Sequence, residues 1–140
     1  GGPRSVFSKV ATEVLPGWDI SLVFVGPTKA RSLNKQLRKK NYVPNVLSYE
    51  VSEKSASRRS AEIIICPSEA RKQAPRYNLS PTTYTLYLFI HGLLHIKGWA
   101  HGATMEACER KLVAKYGAAN SRRHRHRDVP GKNGRRRGTL

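Results

Sequence analysis

The segment from Ser80 to Gly98 constrains this chain more than any other. Ser80-Pro81 pairs a capping side chain with a proline at the first helical position, and Gly98 supplies the residue type that ends a helix in a left-handed turn. Between these signals nearly every residue from Tyr84 to His95 is apolar. A helix that is apolar on most sides has to be surrounded, so the pattern predicts a central, buried helix on which the other elements pack. The run is too short to span a bilayer and contains two histidines, so it does not read as a membrane segment.

The flanking sequence supplies the partners. Val6, Phe7, Val10 and Val14 recur at helical spacing, and Pro16-Gly17 ends that helix. Ile20 to Val25 reads as a strand, Val46 to Val51 as a second, and Glu62 to Cys66 as a short buried third, with a polar loop over Ser52 to Ser60. Thr28 is placed to cap a helix whose Ala30, Leu33 and Leu37 line one face. A brief helix follows Ser68 and ends before Pro75. The last helix begins near Thr104, turns Met105, Cys108, Leu112 and Tyr116 inward, and ends at Gly117. The expected fold is α+β: a small mixed sheet of three to four strands packed with four to five helices, in one domain over residues 6–117. Residues 1–5 read as a fusion remnant or a disordered lead, and residues 118–140 as a disordered basic tail. Cys66 and Cys108 form no CxxC pair and are expected to be reduced, buried thiols. With no signal peptide before the first helix, the expected compartment is the cytoplasm.

Three of the five histidines fall in the segment His91-Gly92-Leu93-Leu94-His95-Ile96-Lys97-Gly98-Trp99-Ala100-His101. Residues four apart on a helix sit about 6 Å along its axis and only about 40° around it, so His91 and His95 can present two ring nitrogens to one point. A third ligand has to arrive from the side. A left-handed Gly98 would swing the chain so that His101 returns to the same point. Three histidines leave a fourth position open, which marks a catalytic zinc site rather than a structural one. The bland alternative is a set of polar residues tolerated on a core helix. Burying two unpaired imidazoles there would cost about 1–3 kcal/mol each. The same spacing occurs in metzincin proteases, which read HExxHxxGxxH. Here Gly92 stands where their general-base glutamate belongs, so peptide hydrolysis is not expected.

The triple-histidine motif resembles the signature of the YbeY family of bacterial endoribonucleases, which mature ribosomal RNA. Leu33-Asn34, Arg38, Lys40 and Asn45-Val46-Leu47-Ser48 are similar to that family's LNxxYRxK and (D/N)VLS patterns, and Glu62 to Cys66 echoes its next strand. Departures are present: Ala100 replaces an aspartate before the third histidine, Leu37 a tyrosine, and Asn41 an aspartate. The resemblance implies single-metal cleavage of single-stranded RNA in ribosomal RNA maturation and ribosome quality control. It also implies one zinc, or another divalent transition metal, per chain on His91, His95 and His101, with Arg38 as a catalytic residue. The competing reading is a non-catalytic ribosome-assembly factor in which zinc only fixes the fold.

Charge agrees with a nucleic-acid partner. The chain carries 26 Lys and Arg against 9 Asp and Glu, a formal charge of +17, and such a field attracts polyanions. Lys29, Arg31, Lys35, Lys39 and Lys40 read as phosphate contacts that position RNA from the small ribosomal subunit without reading its bases. Asn45 and Ser48 could add hydrogen bonds or simply serve a turn. Trp99 is expected to pack over the metal pocket rather than stack on a base. Residues 118–140 hold eight Lys and Arg and one Asp. Their removal should weaken RNA binding, lowering the log–log salt slope by about 0.7 for each phosphate no longer neutralised, while the maximal cleavage rate barely changes. Titration of RNA at several salt concentrations checks this; an unchanged slope with abolished turnover would place the tail in the active site.

Overall fold

The structure is a computed structural model and describes residues 5–121, with side chains through residue 117. The expectations for residues 1–4 and for 122–140 lie outside the described residues.

The elements run α1 (Val6–Val14), β1 (Asp19–Phe24), α2 (Pro27–Arg38), β2 (Val46–Glu50), β3 (Ser60–Ile65), α3 (Pro67–Gln73), a 3-10 turn (Ala74–Tyr77), α4 (Pro81–Lys97) and α5 (Ala103–Ser121). The sheet order is β1-β3-β2. β1 runs parallel to β3 with Asp19 opposite Ser60, and β2 runs antiparallel with Val46 opposite Ile65. The isoleucine run occupies the middle strand, where an apolar strand can be covered on both faces. Ile63 and Ile65 share one face by the alternation of a strand and are fully buried in the main core.

α4 lies against that face. Ser80 Oγ accepts from the Thr83 N–H at 3.1 Å, Pro81 takes the first helical position, and Gly98 ends the helix at φ 102°. The α+β fold expected from the sequence is therefore the observed one, with five α-helices on a three-stranded sheet among the described residues. Among the described residues no helix is long and apolar enough to cross a membrane.

Four local readings are corrected. Gly26, not Thr28, is the N-cap of α2, because Pro27 fills the first turn and moves the cap earlier along the chain. The buried face of α2 is Ala30 and Asn34, while Leu37 in the last turn is 44% exposed. Asn34 is buried with half of its amide paired: its Nδ2 donates to the Tyr42 carbonyl at 3.1 Å, tying down the loop after the helix, while its Oδ1 has no partner among the described residues. Ser5 belongs to the fold, since its Oγ caps α1 by accepting from the Ser8 N–H. Gly117 does not end α5: it is buried where α5 lies near Thr83 and Leu86 of α4, and packing carries the helix on to Ser121. The tail expected from residue 118 thus begins with helical residues. Both cysteines are free thiols, Cys66 buried and Cys108 half-buried.

The closest approach of α4 to the sheet is at Gly92. A Cβ added there would lie 2.8 Å from Ile63 Cδ1 and 3.3 Å from Ser48 Cβ. Ile63 is fully buried and has nowhere to swing. Overpacking of this kind costs about 1–3 kcal/mol, against about 1 kcal/mol of helix propensity gained by alanine. Gly92→Ala should therefore destabilise on balance, and Ile63→Val in the same background should recover part of the loss. Urea unfolding of the four members of that cycle checks it: purely additive losses would show that the contact is not what position 92 answers to.

Candidate metal centre

The last two turns of α4 place His91 and His95 on one side of the helix. The left-handed Gly98, whose N–H donates to the His95 carbonyl at 3.0 Å, then reverses the chain and brings His101 back. Ring centroids are 5.0 Å apart for His91 and His95, 5.0 Å for His91 and His101, and 4.5 Å for His95 and His101. One ligand nitrogen from each of the three lies within 4.8 Å of the others. Nε2 of His95 and Nε2 of His101 face each other at 2.7 Å. All three predicted ligands are thus brought to one point. The burial argument is corrected, however. His95 and His101 are open to solvent and only His91 is partly buried, so the group sits at the mouth of a cleft rather than inside the core.

A carboxylate not anticipated from the sequence completes the group. Glu109 of α5 is only 1% exposed, and its Oε2 lies 2.5 Å from His91 Nδ1. An ionised carboxylate can only accept, so it fixes the proton on Nδ1 and leaves Nε2 of His91 as the free lone pair. A ligand histidine is commonly oriented in this way. Glu109 falls in the same stripe as Met105, Leu112 and Tyr116, four or three residues apart. An acid in an inward stripe is the signal that could have found it. His95 is held below the ordinary histidine range, first by desolvation of its ring and then by His91, His101 and Arg38 nearby. That direction favours the neutral ring, the form that coordinates a metal.

The histidines form one end of a cleft of about 540 Å³, a size that holds a small ligand or a piece of a larger one. Arg38 lines it, and its Nη1 lies 3.5 Å from the Tyr42 hydroxyl. Asn45 and Ser48 also line it, as do Tyr77, Tyr84 and Tyr87, which no sequence motif singled out. The other basic residues of the helix and the loop after it, Lys29, Arg31, Lys35, Lys39 and Lys40, are exposed and do not line the cleft. Trp99 packs against the core instead of lying over the metal site.

The family model for endoribonuclease YbeY matches residues 4–117. The chain belongs to this family. YbeY proteins are RNA-cleaving, metal-dependent hydrolases, and the three-histidine site of this chain is one that can hold a metal ion. An endoribonuclease YbeY of Neisseria meningitidis serogroup C is 33% identical over 113 residues, covering 73% of this chain and 66% of the relative. That of Neisseria gonorrhoeae is 33% identical over 128 residues, covering 84% and 74%. The Spiroplasma citri protein is 32% identical over 108 residues, covering 70% and 68%. The chain thus spans about two thirds of the length of the first of these relatives. The solution structure of TM1509 from Thermotoga maritima shares the fold, with a TM-score of 0.63 at 21% identity, over 91% of this chain and 87% of that one.

The buried position of Glu109 gives a direct expectation. Glu109→Gln keeps the shape but weakens the acceptor, so metal affinity should fall by about 10–100-fold while the fold is retained. Competition with a chromophoric chelator measures it, and an unchanged dissociation constant would remove Glu109 from the centre.

Proposed function

We propose that this chain is a single-strand-directed endoribonuclease that holds one zinc ion on His91, His95 and His101 and acts in ribosomal RNA maturation and ribosome quality control. One observation carries the reading: three imidazoles converge at the mouth of a cleft that Arg38 also lines, and a buried carboxylate fixes one of them. The donor set fits the metal. Three imidazole nitrogens suit zinc, and another divalent transition metal would accept the same ligands. When bound, such an ion supplies Lewis acidity toward a phosphoryl oxygen and lowers the pKa of a water.

The chain's own groups do the rest. Glu109 holds His91 in one tautomer and one orientation, so that ligand need not reorganise. The solvent-open sides of His95 and His101 leave room for a phosphodiester to approach. The planar guanidinium of Arg38 can donate two parallel hydrogen bonds to a phosphate, stabilising the charge that grows in the transition state. Gly92 leaves no side chain between helix and sheet, so a metzincin-type glutamate has no place there. The exposed Lys29, Arg31, Lys35, Lys39 and Lys40 would hold the RNA backbone outside the cleft. A formal charge of +17 supports a polyanionic partner of the kind the small ribosomal subunit presents in the cytoplasm.

Turnover of an end-labelled RNA tests the proposal, with His95→Ala purified in parallel to exclude a contaminating nuclease. Metal analysis should give about one ion per chain in the parent, and His91→Ala or His95→Ala should lose most of it. Arg38→Ala should keep its metal and most of its RNA affinity but cleave about 10²–10³-fold more slowly. Metal retained in full by both histidine variants would sink the site. An Arg38→Ala protein as fast as its parent would return Arg38 to the solvated surface.

A further inference from the structure

The wall of the cleft away from the histidines is built of polar groups whose direction is fixed from outside the cleft. Gln73 Nε2 donates to Glu69 Oε2 at 2.9 Å. A carboxylate accepts only, so Gln73 must turn its Oε1 the other way. That oxygen receives Asn45 Nδ2 at 2.8 Å and the Tyr84 hydroxyl at 3.1 Å, and Asn45 Nδ2 also donates to the Tyr84 hydroxyl at 3.3 Å. Burial pushes the Tyr84 hydroxyl up to about 12, so it stays a donor at any working pH. The relay therefore has one polarity, and the Asn45 amide nitrogen is spent on the wall. Among the described residues Asn45 Oδ1 meets no donor. Asn45 lines the cleft, and its Oδ1 is the acceptor left unspent. Beside it, Tyr77 stacks on Tyr84 with centroids 5.1 Å apart and planes at 16°, yet Tyr77 remains partly exposed and lines the cleft. Tyr77 lies 6.3 Å from Tyr87, and Tyr87 lies 5.9 Å from His91, so the aromatic wall leads to the metal centre.

Resting on the reading of this cleft as an RNA site, we infer that Tyr77 and Asn45 form a base-recognition subsite in which Tyr77 stacks a base and Asn45 Oδ1 accepts a hydrogen bond from an amino group on its edge, favouring cytosine over uracil. The two pyrimidines stack alike and have the same size. They differ at position 4, where cytosine carries an amino donor and uracil a carbonyl acceptor, and at the neighbouring N3, which accepts in cytosine and donates in uracil. With position 4 facing Asn45 Oδ1, uracil would set two acceptors against each other, and its N3–H meets that oxygen only if the ring shifts on its stack. Stacking itself tolerates any base, so Tyr77 supplies affinity and Asn45 supplies choice.

The relay gives a test that does not touch the cleft. Binding of C5 and U5 RNA pentamers is measured by fluorescence anisotropy with chelator present, so that the oligomers stay intact. The parent should prefer C5 by about tenfold. Glu69→Gln replaces the acceptor that sets the polarity with an amide that can present either group, so the preference should fall toward unity. Tyr77→Ala should weaken both pentamers about tenfold with the ratio kept, and Tyr77→Phe should leave both as in the parent. A merely structural tyrosine or glutamate would not divide affinity and preference in this way. Equal affinity of the parent for C5 and U5, a preference unmoved in Glu69→Gln, or parent-like binding by Tyr77→Ala overturns the subsite. Restoring metal and following cleavage of the same pentamers keeps the two proposals apart. Cleavage without preference overturns the subsite alone, whereas selective binding without cleavage supports the subsite and counts against the nuclease.

Discussion

Where α4 crosses β3, the helix backbone comes so near Ile63 and Ser48 that position 92 has no room for a side chain. That contact fixes the height and rotation of α4 on the sheet. His91 sits one residue before it and His95 less than one turn beyond, so both leave the helix beside the contact, on the side where Ser48 and the start of β2 form the cleft. The ligand spacing would be of no use on a helix free to rotate by one residue, a turn of about 100°. Close packing at Gly92 removes that freedom, because interiors packed to crystal-like density do not deform continuously.

A second helix then sets the orientation of the rings. α5 carries Glu109 to His91 Nδ1, and it packs mainly on α4 with a smaller contact to α1. Lys97 at the end of α4 donates to the Val14 carbonyl at 2.7 Å, and Lys115 reaches Glu13 at 2.9 Å, with the Tyr116 hydroxyl on the same carboxylate. The Glu13 pairs are exposed and individually weak. Their consequence is geometric: α1 is tied to both α4 and α5, so a buried acid can be aimed at a histidine without being mobile. An acid as buried as Glu109 would be costly without a partner, and His91 is that partner.

What the sequence revealed was local. Ser80-Pro81, the apolar run and Gly98 define α4 because caps and breakers act within a turn, and the three histidines follow from helical geometry plus one left-handed glycine. The isoleucine strand was equally plain. What stayed hidden depends on contacts between distant residues. Asn34 is buried through a bond to the Tyr42 backbone, so an apolar-face rule points instead to Leu37. Glu109 has meaning only once α5 lies beside α4, though an acid inside an inward stripe was a visible anomaly. Gly117 reads as a helix end until packing carries the helix through it. Asn45, Gln73 and Tyr84 come from a loop and two separate helices, and their 28- and 39-residue separations leave no periodic trace.

The cations divide along the same line between global field and local contact. Lys29, Arg31, Lys35, Lys39 and Lys40 face water, where a Debye length of about 8 Å at physiological salt screens each one. On the proposed function, their sum would attract RNA from any direction and carry no information about where it is cut. Arg38 has the same charge but a different address, lining the cleft with the histidines. Proximity to the histidines, rather than basicity, therefore separates Arg38 from its neighbours on the helix. The neutral acceptor of Asn45, on the wall that leads away from the histidines, adds what neither class of cation can supply: a contact that differs from one base to the next.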